Sequence, residues 1–126
     1  MKGFTTIHAG SARQALTRLR FICQLSDTSN ELPMSALNSL VSEAVDVVVH
    51  CRRTPDGPRV GAVACVEDLL GPADGTNFTL SEVFGDTSKG AGVGWTGVIP
   101  TRLARTFEAE GLDVREHLDP GRRSSS

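Results

Sequence analysis

Histidine and cysteine are the residue types here whose side chains most readily carry chemistry, and the 126-residue chain holds three of each. His8 closes a β-branched-rich run, with the hydroxyls of Thr5 and Thr6 just before it. By residue type alone, a lone histidine ending a strand is more often a structural hydrogen-bonding group than a catalytic one. His50 and Cys51 are sequence neighbours within an apolar run. Successive strand residues face opposite ways, so the two do not share a metal ion. His50 is read as structural and His117, near the tail, as solvated. Cys23, Cys51 and Cys65 are odd in number and widely spaced, with no C-x-x-C pair. That pattern indicates neither a disulfide framework nor a zinc site, and fits reduced, partly buried thiols of a cytosolic protein. A phosphate loop of the form G-x-x-x-x-G-K-[ST] does not occur. The lysines are Lys2 and Lys89; Lys89 precedes the glycines of its Gly-rich stretch, and no helix-opening Ser or Thr follows in register. No cofactor-binding and no metal-binding residue is assigned.

These residues need elements to position them. Residues 4–9 read as a short strand closed by Gly10. Ser11 is placed to N-cap a helix to about Gln24, with Ala12, Leu16, Leu19 and Cys23 forming one stripe. Arg13, Arg18 and Arg20 lie away from the centre of that stripe. The polar residues 26–30 break the pattern, and Pro33 suits the first position of a second helix carrying Met34, Leu37, Leu40, Val41 and Ala44. The unbroken valines of residues 46–51 predict a strand buried on both faces. Pro55-Asp56-Gly57 predicts the turn of a hairpin to a strand over residues 59–67. A glycine-containing turn over 71–75 leads to a strand over 77–84, followed by a Gly-rich loop over 85–97 with Trp95 packed in it. Thr101 is expected to cap a last helix burying Leu103, Ala104, Phe107 and Leu112, with Gly111 near its end. The order of elements predicts one α/β domain over residues 1–118, with a mixed sheet and flanking helices, then a disordered tail over 119–126. The first strand has no preceding element to pair with, and an unpaired edge invites a partner.

A net charge of −2 and a pI near 5.9 give no basic footprint, so nucleic acid is not an expected partner. No run is long and apolar enough to cross a bilayer, and the start has no hydrophobic stretch of signal-peptide length. Any tie to a membrane is therefore expected to run through partners.

Thr5-Thr6-Ile7-His8-Ala9-Gly10-Ser11, followed by Arg13-Gln14-Ala15-Leu16-Thr17-Arg18-Leu19, resembles the histidine box and following helix of the type II/type IV secretion ATPases. The branch it resembles most is the CpaF-like, tight-adherence pilus ATPases. The similarity continues through the valine strand, the Pro-Asp-Gly hairpin, the strand ending at Glu67 and the segment Gly92-Val93-Gly94-Trp95-Thr96-Gly97-Val98-Ile99-Pro100. It spans roughly residues 3–112. The family motif usually has asparagine where Gly10 stands, which removes one polar side chain beside the histidine.

The resemblance implies the carboxy-terminal portion of a RecA-like P-loop ATPase domain. In that family the histidine box lies beside the γ-phosphate of ATP, so His8 and Thr6 inherit a catalytic role, with Thr5 as a hydroxyl neighbour. A polar group at a strand's carboxyl end suits phosphoryl transfer, which is mostly positioning and charge stabilisation. ATP and magnesium are the cofactors of the intact family, yet the phosphate loop is missing, and Met1 and Lys2 occupy the place of the acidic magnesium-holding segment. The expectation is a truncated motor subunit for pilus assembly or protein secretion that does not hydrolyse ATP alone. Its implied partners are other subunits of a hexameric ring, through Arg13 and Arg18, and an inner-membrane platform protein. Its implied location is cytoplasmic, peripheral to the inner membrane. The alternative is a stand-alone interaction module that docks onto a full-length homologous ATPase.

Overall fold

The computed structural model describes residues 3–26, 32–67, 78–86 and 92–119. The turn expected at 71–75, the polar break at 27–30, Lys2, Lys89 and the tail from 120 onward lie outside the described residues. The elements run α1 (Ala12–Ser26), α2 (Met34–Ala44), β1 (Val47–Thr54), β2 (Gly57–Val66), β3 (Leu80–Asp86), β4 (Val93–Trp95), α3 (Thr101–Ala109) and α4 (Val114–Leu118). Among the described residues, no helix is long and apolar enough to cross a membrane.

The sheet has the order β1-β2-β3-β4, and every pairing is antiparallel. The expected mixed sheet is thus corrected to a meander among the described residues. The reason lies at the amino end. Residues 4–9 are not a strand, and Phe4 is fully exposed. β-branched residues favour extended backbone, but a strand exists only where another strand satisfies its N–H and C=O groups.

The valine strand also differs from expectation. Sheet order leaves β1 at an edge, and Val47, Val49 and Cys51 are exposed while Val48 and His50 are partly buried. An unbroken valine run fits a strand covered on both faces, but it does not itself supply the second cover. The hairpin forms as the turn residues dictate. Pro55 and Asp56 make a two-residue connection, and Gly57 takes a φ of +112°, which L side chains rarely adopt. The hydroxyl of Thr54 donates to the Gly57 carbonyl at 2.7 Å across this turn.

Two apolar clusters grip opposite faces of the sheet. Leu16, Val41, Val66 and Phe78 form one beneath α1 and α2, with Leu19 and Val48 at its margin. Cys65, Val83, Val114 and Leu118 form the other beneath α3 and α4, with Trp95, Leu103 and Phe107 around it. Val66 and Cys65 are strand neighbours, so the period of two sends them to different clusters. Burying each large apolar side chain contributes roughly 1.5–3 kcal/mol relative to exposure.

The packing stripe of α1 also departs from its expected line. Ala15 and Leu16 are buried, whereas Cys23 is exposed beside Phe21, Ile22 and Leu25, so only the first half of the helix meets the core. Pro33 stands one place before α2, as its N-cap, and its carbonyl accepts from Ala36 and Leu37. Part of the expected Gly-rich loop becomes β4, which pairs Trp95 with Phe84. The short α4 does not announce itself in the sequence. It starts where the Asp113 carboxylate accepts from the Arg115 N–H at 3.0 Å.

Candidate functional site

The segment carrying His8 is extended and pinned to the start of α1. Ser11 caps that helix, its hydroxyl accepting from the Gln14 N–H at 3.1 Å. The Gln14 side chain reaches back, its Oε1 accepting from the Gly10 N–H at 2.8 Å. This is a variant of the capping box, with the return bond landing one residue before the cap. A Cβ on Gly10 would stand 2.7 Å from that Gln14 oxygen, so a larger residue there requires Gln14 to swing away. Arg18, nearly two turns on, donates to the His8 carbonyl.

The resulting surface is open, more apolar than polar in lining, and edged by two arginines. A pocket of about 420 Å³ is lined by Ala9, Gly10, Ser11, Arg13, Gln14, Thr17 and Arg18. Thr5, Thr6 and His8 are exposed, and the His8 imidazole makes no hydrogen bond with the described residues. The structure thus brings the His8 backbone beside Arg18, and leaves the histidine side chain and the two threonines open to solvent. Arg13 donates to the Phe78 carbonyl at 2.5 Å, tying the amino end of α1 to the entry of β3. Arg20 donates to Asn38 Oδ1 at 2.8 Å and stacks over the Phe78 ring, its guanidinium 5.6 Å from the centroid. These arginines, read as a solvated face or a subunit contact, each hold a carbonyl or amide of their own chain.

A second constellation was missed by sequence reasoning. Glu67, at the end of β2, is 7% exposed. Its Oε2 accepts from the Ser81 hydroxyl at 2.8 Å and from the Thr101 N–H at 2.9 Å, and its Oε1 from the Arg102 N–H at 3.0 Å. Thr101 makes no side-chain cap, so the expected cap is supplied instead from a strand. No acidic residue occupies the first turn of α3, and a carboxylate there meets both the orphan N–H groups and the positive end of the helix dipole. The signal was present: a charged residue closing an apolar strand, and a helix start without an acid.

Arg102 extends this network to the other layer. Its guanidinium donates to the carbonyls of Ser42 at 2.6 Å, Val66 at 3.3 Å and Glu43 at 3.3 Å, and pairs with Asp46 at 2.9 Å. One side chain thus joins the end of α2, the approach to β1 and the end of β2 to α3.

All three cysteines are free; Cys23 and Cys51 are exposed and Cys65 is buried. Burial raises the Cys65 thiol above its ordinary range, Glu67 and Asp46 add to the rise, and Arg102 opposes it. Cys65 is therefore held in its protonated, unreactive form. His117, expected to be solvated, is exposed but sets its ring edge-on to Phe107 with centroids 5.3 Å apart. No group of three or more His, Cys, Asp or Glu residues is placed to hold a metal ion among the described residues.

Part of the chain is related to known secretion and conjugation proteins. Over 58 residues, 45% of this chain and 17% of the relative, it is 41% identical to the type IV secretion system protein PtlH of Bordetella pertussis. The PtlH homolog of Bordetella bronchiseptica shows the same figures. Over 65 residues, 52% of this chain and 18% of the relative, it is 38% identical to the probable conjugal transfer protein TrbB of Sinorhizobium fredii. The chain thus spans less than a fifth of the length of the curated relatives it matches. No family model matches the chain, and no solved structure matches it significantly.

Proposed function

We propose that this chain is the carboxy-terminal portion of a motor subunit of the secretion ATPase superfamily, RecA-like in architecture and CpaF-like in branch. The observation that carries the reading is the partial identity to a type IV secretion protein and a conjugal transfer protein, in a chain that also bears a histidine-box motif. The pinned segment ahead of α1 supports it, because it presents a histidine and two hydroxyls to solvent beside an open pocket. In a complete motor those groups would face nucleotide bound largely by other residues. His8 then senses or positions the terminal phosphate, and Thr6 assists it. Arg13 and Arg18 line the pocket that begins one residue after His8, where a neighbouring subunit would approach.

By itself the 126-residue stretch has no lysine-bearing phosphate loop, so it is proposed to be silent as an ATPase. Partners are the other subunits of the ring and its inner-membrane platform. The location is cytoplasmic, at the membrane through those partners.

The test is a chimera in which this chain replaces the matching part of a PtlH-type protein. The expected result is ATP turnover that His8→Ala reduces by at least tenfold, below the roughly 10² to 10⁴ typical of a positioned general acid or base, as suits a residue that only positions the phosphate. The isolated chain should turn over no ATP. A folded chimera without turnover, or tight nucleotide binding by the isolated chain, would overturn the reading.

A further inference from the structure

The two peptide planes that follow His8 are held from one face of α1. In a helix every Cα–Cβ bond tilts toward the amino end, so long side chains lean back over the turn and segment that precede them. Gln14 and Arg18 stand one turn apart on the same face, and both reach back in this way. Arg18 Nη1 donates to the His8 carbonyl, and Gln14 Oε1 accepts from the Gly10 N–H at 2.8 Å. Gln14 is itself fixed at its main chain, where its N–H donates to Ser11 Oγ at 3.1 Å. Both braces close within residues 8–18, so they need nothing from the rest of a larger domain or ring. Two other polar side chains of the pocket are engaged elsewhere: Thr17 donates to the Arg13 carbonyl at 3.1 Å, and Arg13 to the Phe78 carbonyl.

We propose that Gln14 and Arg18 are positioning residues for His8, acting on the main chain that carries it, and that Gly10 serves to admit Gln14. Gly10 is not one of the glycines with a positive φ, so its backbone alone would accept alanine. The obstacle is the Gln14 side chain, whose Oε1 lies 2.7 Å from where a Cβ would stand. A residue larger than glycine therefore costs the brace, not the backbone. This role rests on the motor reading above. An imidazole that must meet a terminal phosphate gains from a stationary backbone, since a misplacement of about 1 Å can cost about 10²-fold in rate. With the His8 carbonyl and the Gly10 N–H both held, the exposed imidazole keeps chiefly the rotations of its own side chain.

The test reads the brace and its purpose separately. In the whole chain, nitrogen relaxation by NMR gives the order parameters of the Ala9 and Gly10 amides. They should be those of rigid backbone, about 0.85, and should fall below about 0.6 in Arg18→Met and in Gln14→Met, with the helical circular dichroism retained. Gly10→Ala should match Gln14→Met, and Arg18→Lys, which keeps a donor, should keep part of the order. In the PtlH-type chimera, Arg18→Met should lower kcat roughly fivefold with KM for ATP unchanged, as a loss of positioning does. Added to His8→Ala, it should cost nothing further, because a residue that acts through His8 has nothing left to position. Low order parameters in the unaltered chain, or ones indifferent to both Met variants, would overturn the inference whatever the chimera does. So would a kcat loss from Arg18→Met that persists in full on His8→Ala, or one accompanied by a lower oligomer mass in sedimentation, which would assign Arg18 to a subunit contact. A chimera silent before any of these substitutions counts against the motor reading alone, and the order parameters then decide the brace.

Discussion

Glu67 shows what a single buried carboxylate does when its surroundings satisfy it. Three donors from β3 and α3 converge on its two oxygens, so its burial costs little while it is held and much when a partner is lost. Glu67→Ala strands two backbone N–H groups at the start of α3 and the Ser81 hydroxyl. It should lower stability by about 2–3 kcal/mol in urea denaturation, where losing a cap alone costs about 1 kcal/mol. Glu67→Gln keeps one acceptor and should fall between the two. His8 behaves in the opposite way: its side chain is exposed, so its replacement should move the chimera's turnover and not the fold. The sequence marks His8 by motif and is nearly silent about Glu67. The reason is physical, since Glu67's partners lie 14 and 34 residues away and no local period connects them.

Among the elements, those set by local chemistry were the legible ones. The β1–β2 hairpin follows from Pro55, Asp56 and Gly57, and α1 begins where Ser11 can cap it. Gly57→Ala should cost about 1–3 kcal/mol, because its φ of +112° is strained for any residue with a Cβ, although open space surrounds it. A drop in melting temperature with the native spectrum retained would check it. Elements that depend on a distant partner were misread. Residues 4–9 have strand composition without a ladder, and β1 has core composition at an edge. β4 and α4, at three and five residues, are too short for periodicity to reveal.

At the scale of the molecule, the sheet divides the core into two clusters that share no buried residue. Such a construction invites the layers to open separately, since cooperative units often follow supersecondary boundaries. Arg102 counters that tendency, because its guanidinium stands on α3 yet binds carbonyls of Ser42 and Glu43 on α2. Arg102→Met should preserve both clusters and split one unfolding transition into two, visible as amide protons of α3 exchanging ahead of those in α2.

The exposed edge of β1 bears on how this stretch behaves when it is prepared by itself. Water hydrates its outward amides, yet a valine-lined row of them is a ready template for any passing strand. High-level expression of the 126-residue stretch by itself should therefore yield a growing insoluble fraction, which a charged residue in place of Val49 would reduce.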